Sequence, residues 1–145
     1  MLLIQFKVVR QTRRKGSLQA DFLGHYVCGI LAFFDNMLLN DDVILEHRWS
    51  ALRSLVVFIK LLGSNHVTRM RAKFMANLKI CMRYNTSPFG KIVVKAWRSF
   101  IRMLEPDSLE ELLPDLGATL VGLLSSDADQ VVDLFHYFFL EKRLV

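Results

Sequence analysis

Residues 87–106 read Ser-Pro-Phe-Gly-Lys-Ile-Val-Val-Lys-Ala-Trp-Arg-Ser-Phe-Ile-Arg-Met-Leu-Glu-Pro, and this stretch contains signals for both ends of a helix. Ser87 is a favoured N-cap, Pro88 suits the first helical position, and Pro106 disfavours helix at the residue before it. Apart from four cations, most side chains between these signals are apolar. The stretch therefore predicts a helix over 87–105 that is buried on most of its surface.

Five further segments have apolar residues at three- and four-residue steps, the spacing of one face of an α-helix. Together with the helix above, they predict six helices, at 17–39, 42–63, 66–83, 87–105, 108–124 and 127–145. Asp42 and Ser108 are candidate N-caps, and Gly63 is a candidate C′ residue. Pro114 predicts a kink or a delayed start in the fifth helix.

The same spacing predicts which face of each helix is buried. In the first helix, the expected core residues are Leu18, Phe22, Tyr26, Ile30, Phe33 and Met37. In the third helix, the apolar arc consists of Val67, Met70, Phe74, Met75, Leu78, Cys81 and Met82. The opposite arc of the third helix is basic and consists of Arg69, Lys73, Lys79 and Arg83.

Arg71 alone interrupts the apolar arc of the third helix, where an unpaired guanidinium costs several kcal/mol. We therefore expect Arg71 to be largely buried in a structural ion pair. The expected partners are helix-end carbonyls or an acid at a hairpin turn, namely Asp41, Asp42 or Glu46. Replacing a buried, paired Arg71 by Met costs about 3 kcal/mol of stability.

The connections between the predicted helices are short, so successive helices should be antiparallel neighbours. Alternate helices begin about 44 to 47 residues apart, which is typical of HEAT-type hairpins. The predicted fold is therefore all-α, a HEAT-like array of three antiparallel helical hairpins over 17–145, that is, a segment of an α-solenoid. A compact helical bundle is the alternative. Residues 1–16 form a basic segment that stays unassigned, with at most a short strand.

The charges of the chain are segregated along the sequence. Between His47 and Leu104 there are twelve Lys or Arg and no acid, whereas 105–141 contains nine acids and no Lys or Arg. Four of the cations recur along one face of the fourth helix: Lys91, Lys95, Arg98 and Arg102. We call these four residues the basic ridge. Three interpretations remain open, namely a solvated edge, a docking site for an acidic protein surface, and a nucleic-acid site.

Composition and motifs exclude several classes of function. The chain of 145 residues suffices for one domain, and its two cysteines, Cys28 and Cys81, suggest buried thiols and no metal site. No Walker loop, nucleophile elbow or dinucleotide fingerprint occurs, so enzyme activity and cofactors are not expected. No signal peptide or membrane span is expected either, since no apolar run approaches about 20 residues.

Four blocks of sequence resemble one family closely. They are Gly-Ile-Leu-Ala-Phe-Phe at 29–34, the stretch 60–75 with Leu-Gly-Ser-Asn-His-Val, Ala-Trp-Arg-Ser-Phe-Ile-Arg-Met-Leu at 96–104, and Phe-His-Tyr-Phe-Phe-Leu-Glu at 135–141. In order and spacing they resemble the UME domain of ATR-type checkpoint kinases, which are phosphatidylinositol-3-kinase-like protein kinases. Residues 1–16 do not obviously belong to the resemblance.

The resemblance implies a segment of the helical-repeat superhelix that precedes the FAT and kinase domains of a nuclear serine/threonine kinase. Such a kinase acts in the DNA-damage and replication checkpoint, with a partner of the ATRIP type, on single-stranded DNA coated by replication protein A. No catalytic residue transfers to this chain. We therefore expect a scaffold that docks protein partners, through neighbouring repeats and the basic ridge. The alternative is a stand-alone module that binds nucleic acid through the ridge.

Overall fold

A computed structural model describes residues 16–86, 88–123 and 128–136 of the chain. Within these ranges every regular element is helical, which confirms the prediction of an all-α fold. The seven α-helices are α1 (Gly16–Gly24), α2 (Val27–Leu39), α3 (Leu45–Arg69), α4 (Arg71–Cys81), α5 (Gly90–Met103), α6 (Pro106–Leu123) and α7 (Ala128–His136). A single 3-10 turn, Met82–Tyr84, follows α4.

Three sequence predictions lie outside the described residues. They are the unassigned N-terminal segment up to residue 15, the N-cap role of Ser87, and the course of the sixth predicted helix beyond residue 136. The predicted place of Pro88 at the first helical position is wrong, because α5 begins at Gly90 with Phe89 as its N-cap and Pro88 lies in the turn before it.

The helices pack in a regular order along the chain. Helix α3 contacts α1 on one side and α5 on the other, and α5 in turn contacts α7. Helix α2 contacts α4, and α3 and α5 share the most extensive interface of the described residues. Each helix in these pairs therefore packs against the helix two places further along the sequence.

A row of buried aromatic rings passes through four of the helices and forms the centre of the core. Neighbouring ring centroids lie 6.0–6.3 Å apart in the order Phe34 (α2), Phe58 (α3), Phe74 (α4), Phe100 and Trp97 (α5). None of the five side chains is exposed to solvent. Aromatic contacts at this distance add to the large apolar area that each ring buries. We call these five residues the aromatic row.

The prediction of one continuous helix over 17–39 is wrong. The helix is interrupted at His25 and Tyr26, where the Tyr26 N–H donates to the Leu23 carbonyl at 3.0 Å. That bond spans three residues instead of four, so the backbone tightens and α2 begins afresh at Val27.

The predicted core face of this first segment is also wrong. Of the expected core residues, four are largely exposed: Leu18, Phe22, Tyr26 and Phe33. The buried residues follow a second stripe with the same helical spacing: Leu23, Val27, Leu31, Phe34 and Leu38. The segment therefore has two apolar faces, and tertiary packing covers only the second. We call Leu18, Phe22, Tyr26 and Phe33 the exposed apolar stripe.

The predicted N-caps Asp42 and Ser108 are wrong, and Pro114 does not delay the start of its helix. Ile44 is the N-cap of α3 and no side chain bonds to that cap, so Asp42 lies in the loop before it. Helix α6 begins at Pro106, two residues before Ser108, and continues through Pro114. Proline is well suited to a first helical position because its missing N–H would have no helical partner there.

The backbone conformation at Gly63 confirms the predicted helix end. Within α3, Gly63 has φ 82° and ψ 172°, which divides the helix into 45–62 and 64–69. A side chain is strained at this positive φ, so the position favours glycine.

Gly24 lets α1 approach α3 closely at the ring of His66. A Cβ atom at Gly24 would lie 2.6 Å from the His66 ring, which is closer than atoms pack. The same ring bonds back to α1, because His66 Nε2 lies 2.9 Å from Asp21 Oδ1. The contact between α1 and α3 therefore depends on the absence of a side chain at Gly24.

We predict that Gly24→Ala lowers the free energy of unfolding by about 1–3 kcal/mol, because the new methyl group must displace the His66 ring. Gly29→Ala is the matched control, since a Cβ at Gly29 meets nothing within 4 Å. Because alanine favours helix over glycine, the control should raise stability by about 0.5–1 kcal/mol. Urea unfolding of both variants measures the difference, and equal effects would contradict the close approach.

Candidate protein-docking surface

Helix α5 is buried on nearly all sides and exposes little beyond cations. Its side chains from Ile92 to Ile101 are mostly buried among α3, α4 and α7, which confirms the predicted apolar surface. The basic ridge lies on the remaining face. Lys91, Lys95 and Arg102 are exposed and Arg98 is half-buried. At about 1.5 Å of rise per residue, the ridge is about 16 Å long.

Three residues of the ridge have no polar partner within the described part of the protein. No hydrogen bond or ion pair joins Lys91, Lys95 or Arg98 to another described residue. Their charges project into solvent from a helix that is otherwise packed against its neighbours. This face therefore has positive potential and is available to an anionic partner.

The cations of α4 are in a different situation, because two of them pair with α6. Lys79 Nζ lies 2.8 Å from an oxygen of Asp115, and Arg71 Nη2 lies 3.1 Å from an oxygen of Glu111. The acid-free segment 48–104 thus obtains carboxylates from the acidic segment that follows it. The acidic segment thus neutralises two cations of α4. It does not neutralise Lys91, Lys95 and Arg98 of α5.

Arg71 joins the end of α3 to the first turns of α6. Its Nη1 donates to the carbonyl of Thr68 at 3.0 Å, while Nη2 donates to Glu111. The hydroxyl of Thr68 in turn accepts the N–H of Glu105 at 3.1 Å, just before α6 begins. A carbonyl near a helix end was one expected partner, but the expected acids Asp41, Asp42 and Glu46 take no part. The helical wheel predicts the face of the helix on which Arg71 lies, but it does not predict which helix packs against that face.

We predict that Arg71→Met lowers the free energy of unfolding by about 1 kcal/mol, less than the 3 kcal/mol expected of a buried pair. The smaller value follows because the Arg71 side chain is 32% exposed and that of Glu111 is 61% exposed. A double-mutant cycle with Glu111→Gln should give a coupling energy below about 1 kcal/mol. A coupling of 3 kcal/mol would show that solvent does not screen the pair.

The two cysteines differ in their surroundings, and the expectation that both are buried is wrong for one. Cys28 is exposed on α2, whereas Cys81 is fully buried at the end of α4. Burial, with the nearby Asp35 carboxylate adding to it, raises the pKa of the Cys81 thiol far above its usual range. Since the thiolate is the reactive form, Cys81 is inert in the folded protein.

We predict that a thiol reagent at neutral pH modifies one cysteine per native chain, Cys28, and reaches Cys81 only after denaturation. Absorbance titration with and without denaturant measures the two stoichiometries. Cys28→Ser should remove the native reaction and leave the denatured one. Rapid native modification of that variant would contradict the burial of Cys81.

The described residues show no arrangement for metal binding and no helix that could span a membrane. No group of His, Cys, Asp and Glu in these ranges is placed to hold a metal ion. None of the helices within them is both long enough and apolar enough to cross a bilayer.

Sequence reasoning missed two surfaces. The exposed apolar stripe was assigned to the core, because its spacing equals that of the stripe that is buried. Asp42 is predicted as an N-cap, but Asp41 and Asp42 lie in the turn before α3, beside Ile44 and Leu45, which are largely exposed. The run Asp-Asp-Val-Ile-Leu-Glu at 41–46 was the available signal, since it places apolar side chains between carboxylates.

The fold and the ridge together define an all-helical domain that presents charged surfaces. Residues 22–124 match the model of the UME (NUC010) domain, so the chain belongs to the UME domain family. It is 29% identical over 128 residues to the serine/threonine-protein kinase ATR of Drosophila melanogaster. The match covers 85% of this chain and 5% of that relative. No solved structure matches the chain.

Proposed function

We propose that this chain is a scaffold segment of an ATR-type serine/threonine kinase, which provides architecture and protein docking and no catalysis of its own. The family match and the fly ATR relative support a segment of such a kinase, because the chain spans only about 5% of that relative's length. On this proposal the parent acts in the nucleus, in the DNA-damage and replication checkpoint.

A HEAT-like arrangement is the form of scaffold that we propose. In stacked helical hairpins each helix packs on its counterpart in the next repeat. The contacts of α1 with α3, α3 with α5, and α5 with α7 support this arrangement, as do the contact of α2 with α4 and the ion pairs of α4 with α6. In the parent, the exposed apolar stripe on α1 and α2 would be covered by neighbouring helical repeats.

The observation that carries the docking role is that Lys91, Lys95 and Arg98 are unpaired among the described residues. Ion pairs between α4 and α6 show the kind of contact that such a row can make with an acidic helix. We therefore propose that the basic ridge docks an acidic protein surface. That surface belongs either to another part of the parent kinase or to its ATRIP-type subunit.

Nucleic acid is the less favoured partner for the ridge. A duplex has a charge about every 1.7 Å, but a straight ridge of this length follows only a short part of its curved backbone. Single strands are held largely by stacking on aromatic rings, and the two large rings of α5, Trp97 and Phe100, are fully buried. Neither form of nucleic acid therefore finds the contacts that it requires.

We predict that the double variant Lys95→Glu/Arg98→Glu, made in the full-length parent kinase, weakens assembly with the docking partner by about tenfold or more. Reversing two of the exposed charges turns attraction for an acidic surface into repulsion. Co-purification of the kinase with its ATRIP-type subunit at several salt concentrations measures the effect. Circular dichroism of the 145-residue chain checks that the fold is retained.

The matched control is Lys73→Glu/Arg83→Glu, which makes the same change of charge at exposed residues of α4 and of the turn after it. Assembly of this control should equal that of the wild type. If both pairs of variants assemble normally, the ridge does not dock the ATRIP-type subunit. Sub-micromolar binding of single-stranded DNA at physiological salt, lost on reversal of the ridge, would establish the nucleic-acid alternative.

A further inference from the structure

The loop between α2 and α3 exposes large apolar side chains that the core does not use. Ile44 is 55% exposed and Leu45 is 61% exposed, and the two are neighbours in sequence. They stand at the beginning of α3, which buries most of its later apolar residues. A contiguous exposed apolar patch with a polar rim is a feature of interaction sites.

Carboxylates surround this apolar pair. Ile44 and Leu45 line an open cleft of about 510 Å³ together with Asp41, Val43, Glu46 and Arg48. Asp41, Asp42 and Glu46 are exposed, and none of them forms an ion pair with another described residue. We call residues 41–46, which comprise the end of the loop and the first two residues of α3, the acidic loop.

The acidic loop has a fixed shape. The Asp42 N–H donates to the side-chain oxygen of Asn40 at 3.0 Å, and Arg48 Nη2 donates to the Asn40 carbonyl at 2.9 Å. The Arg48 guanidinium also lies 5.8 Å from the centre of the Tyr84 ring, whose hydroxyl donates to the carbonyl of Leu38. Arg48 therefore holds the loop in place without forming an ion pair with its carboxylates. A loop held in this way loses little entropy when a ligand binds.

We propose that the acidic loop is a docking site for a basic amphipathic segment of a partner protein. An apolar side chain of the segment contacts Ile44 and Leu45 in the cleft, and its flanking Lys or Arg residues pair with the carboxylates. The local charge is negative although the whole chain has a formal charge of +5, so this site selects the opposite partner from the basic ridge. The same charge repels nucleic acid and anionic lipid.

The test uses the full 145-residue chain and a short labelled helical peptide with Leu on one face and Lys on the other. Fluorescence anisotropy should show saturable binding that weakens as salt rises. We expect about tenfold weaker binding for Ile44→Ser/Leu45→Ser, and a similar loss for Asp41→Asn/Asp42→Asn/Glu46→Gln. All five side chains are exposed, so the fold is retained, and circular dichroism checks it.

The matched control is Val121→Ser/Glu110→Gln, which removes an exposed apolar side chain and an exposed acid from α6. It should bind the peptide as the wild type does, and a peptide with Glu in place of Lys should not bind. The ridge variant Lys95→Glu/Arg98→Glu should bind at least as well as the wild type, so this test is independent of the ridge.

Three binding results would overturn the proposal, and a fourth result concerns the chain alone. The three are undetectable binding by the wild type, unchanged binding by both loop variants, and equal binding of the Glu peptide. Self-association of the chain that is lost in the loop variants would also overturn it, because the occupant would then be a second copy.

Discussion

The aromatic row is the contact on which the rest of the structure depends, because it is the element that passes through α2, α3, α4 and α5 together. Loss of one such ring costs about 3–5 kcal/mol, a large part of the stability of a small domain. Four of its five members lie within the sequence blocks that resemble UME domains: Phe34, Phe74, Trp97 and Phe100. These blocks therefore describe mainly the core, although Arg98 and Arg102 of the basic ridge also lie within one of them.

With the helices positioned by the aromatic row, some of the charged side chains form ion pairs and others do not. Residues 48–104 contain cations without acids, so each cation must find its partner elsewhere or remain in water. Helix α4 lies against the acids of α6 and uses them at Arg71 and Lys79. On α5, Lys91, Lys95 and Arg98 form no ion pair with those acids or with any other described residue. The surface that we propose for docking thus consists of the cations that remain after internal pairing.

Sequence reasoning succeeded where a helix has only one possible buried face. The basic ridge of α5 and the apolar and basic arcs of the third predicted helix follow directly from 3.6-residue periodicity. The predicted span of that third helix, 66–83, is nevertheless wrong, because it is divided at Met70 between the end of α3 and α4. Sequence reasoning failed for the first helix, where Leu18, Phe22 and Tyr26 have the same spacing as the stripe beginning with Leu23 and Val27. Only the position of α3 decides between such stripes. The prediction of the acid that pairs with Arg71 failed for the same reason, since periodicity contains no information about which helix lies opposite Arg71.

The ion pairs between α4 and α6 can form only after the ribosome has synthesised α6. Arg71 and Glu111 are separated by 40 residues, and Lys79 and Asp115 by 36. Ribosomes build the chain from the N-terminus, so the helices up to α5 emerge before any of these acids. The nascent chain therefore has an unneutralised cationic surface on α4 until α6 leaves the exit tunnel. The ion pairs that neutralise this surface therefore form late, at a time that is set by translation and not by the formation of the individual helices.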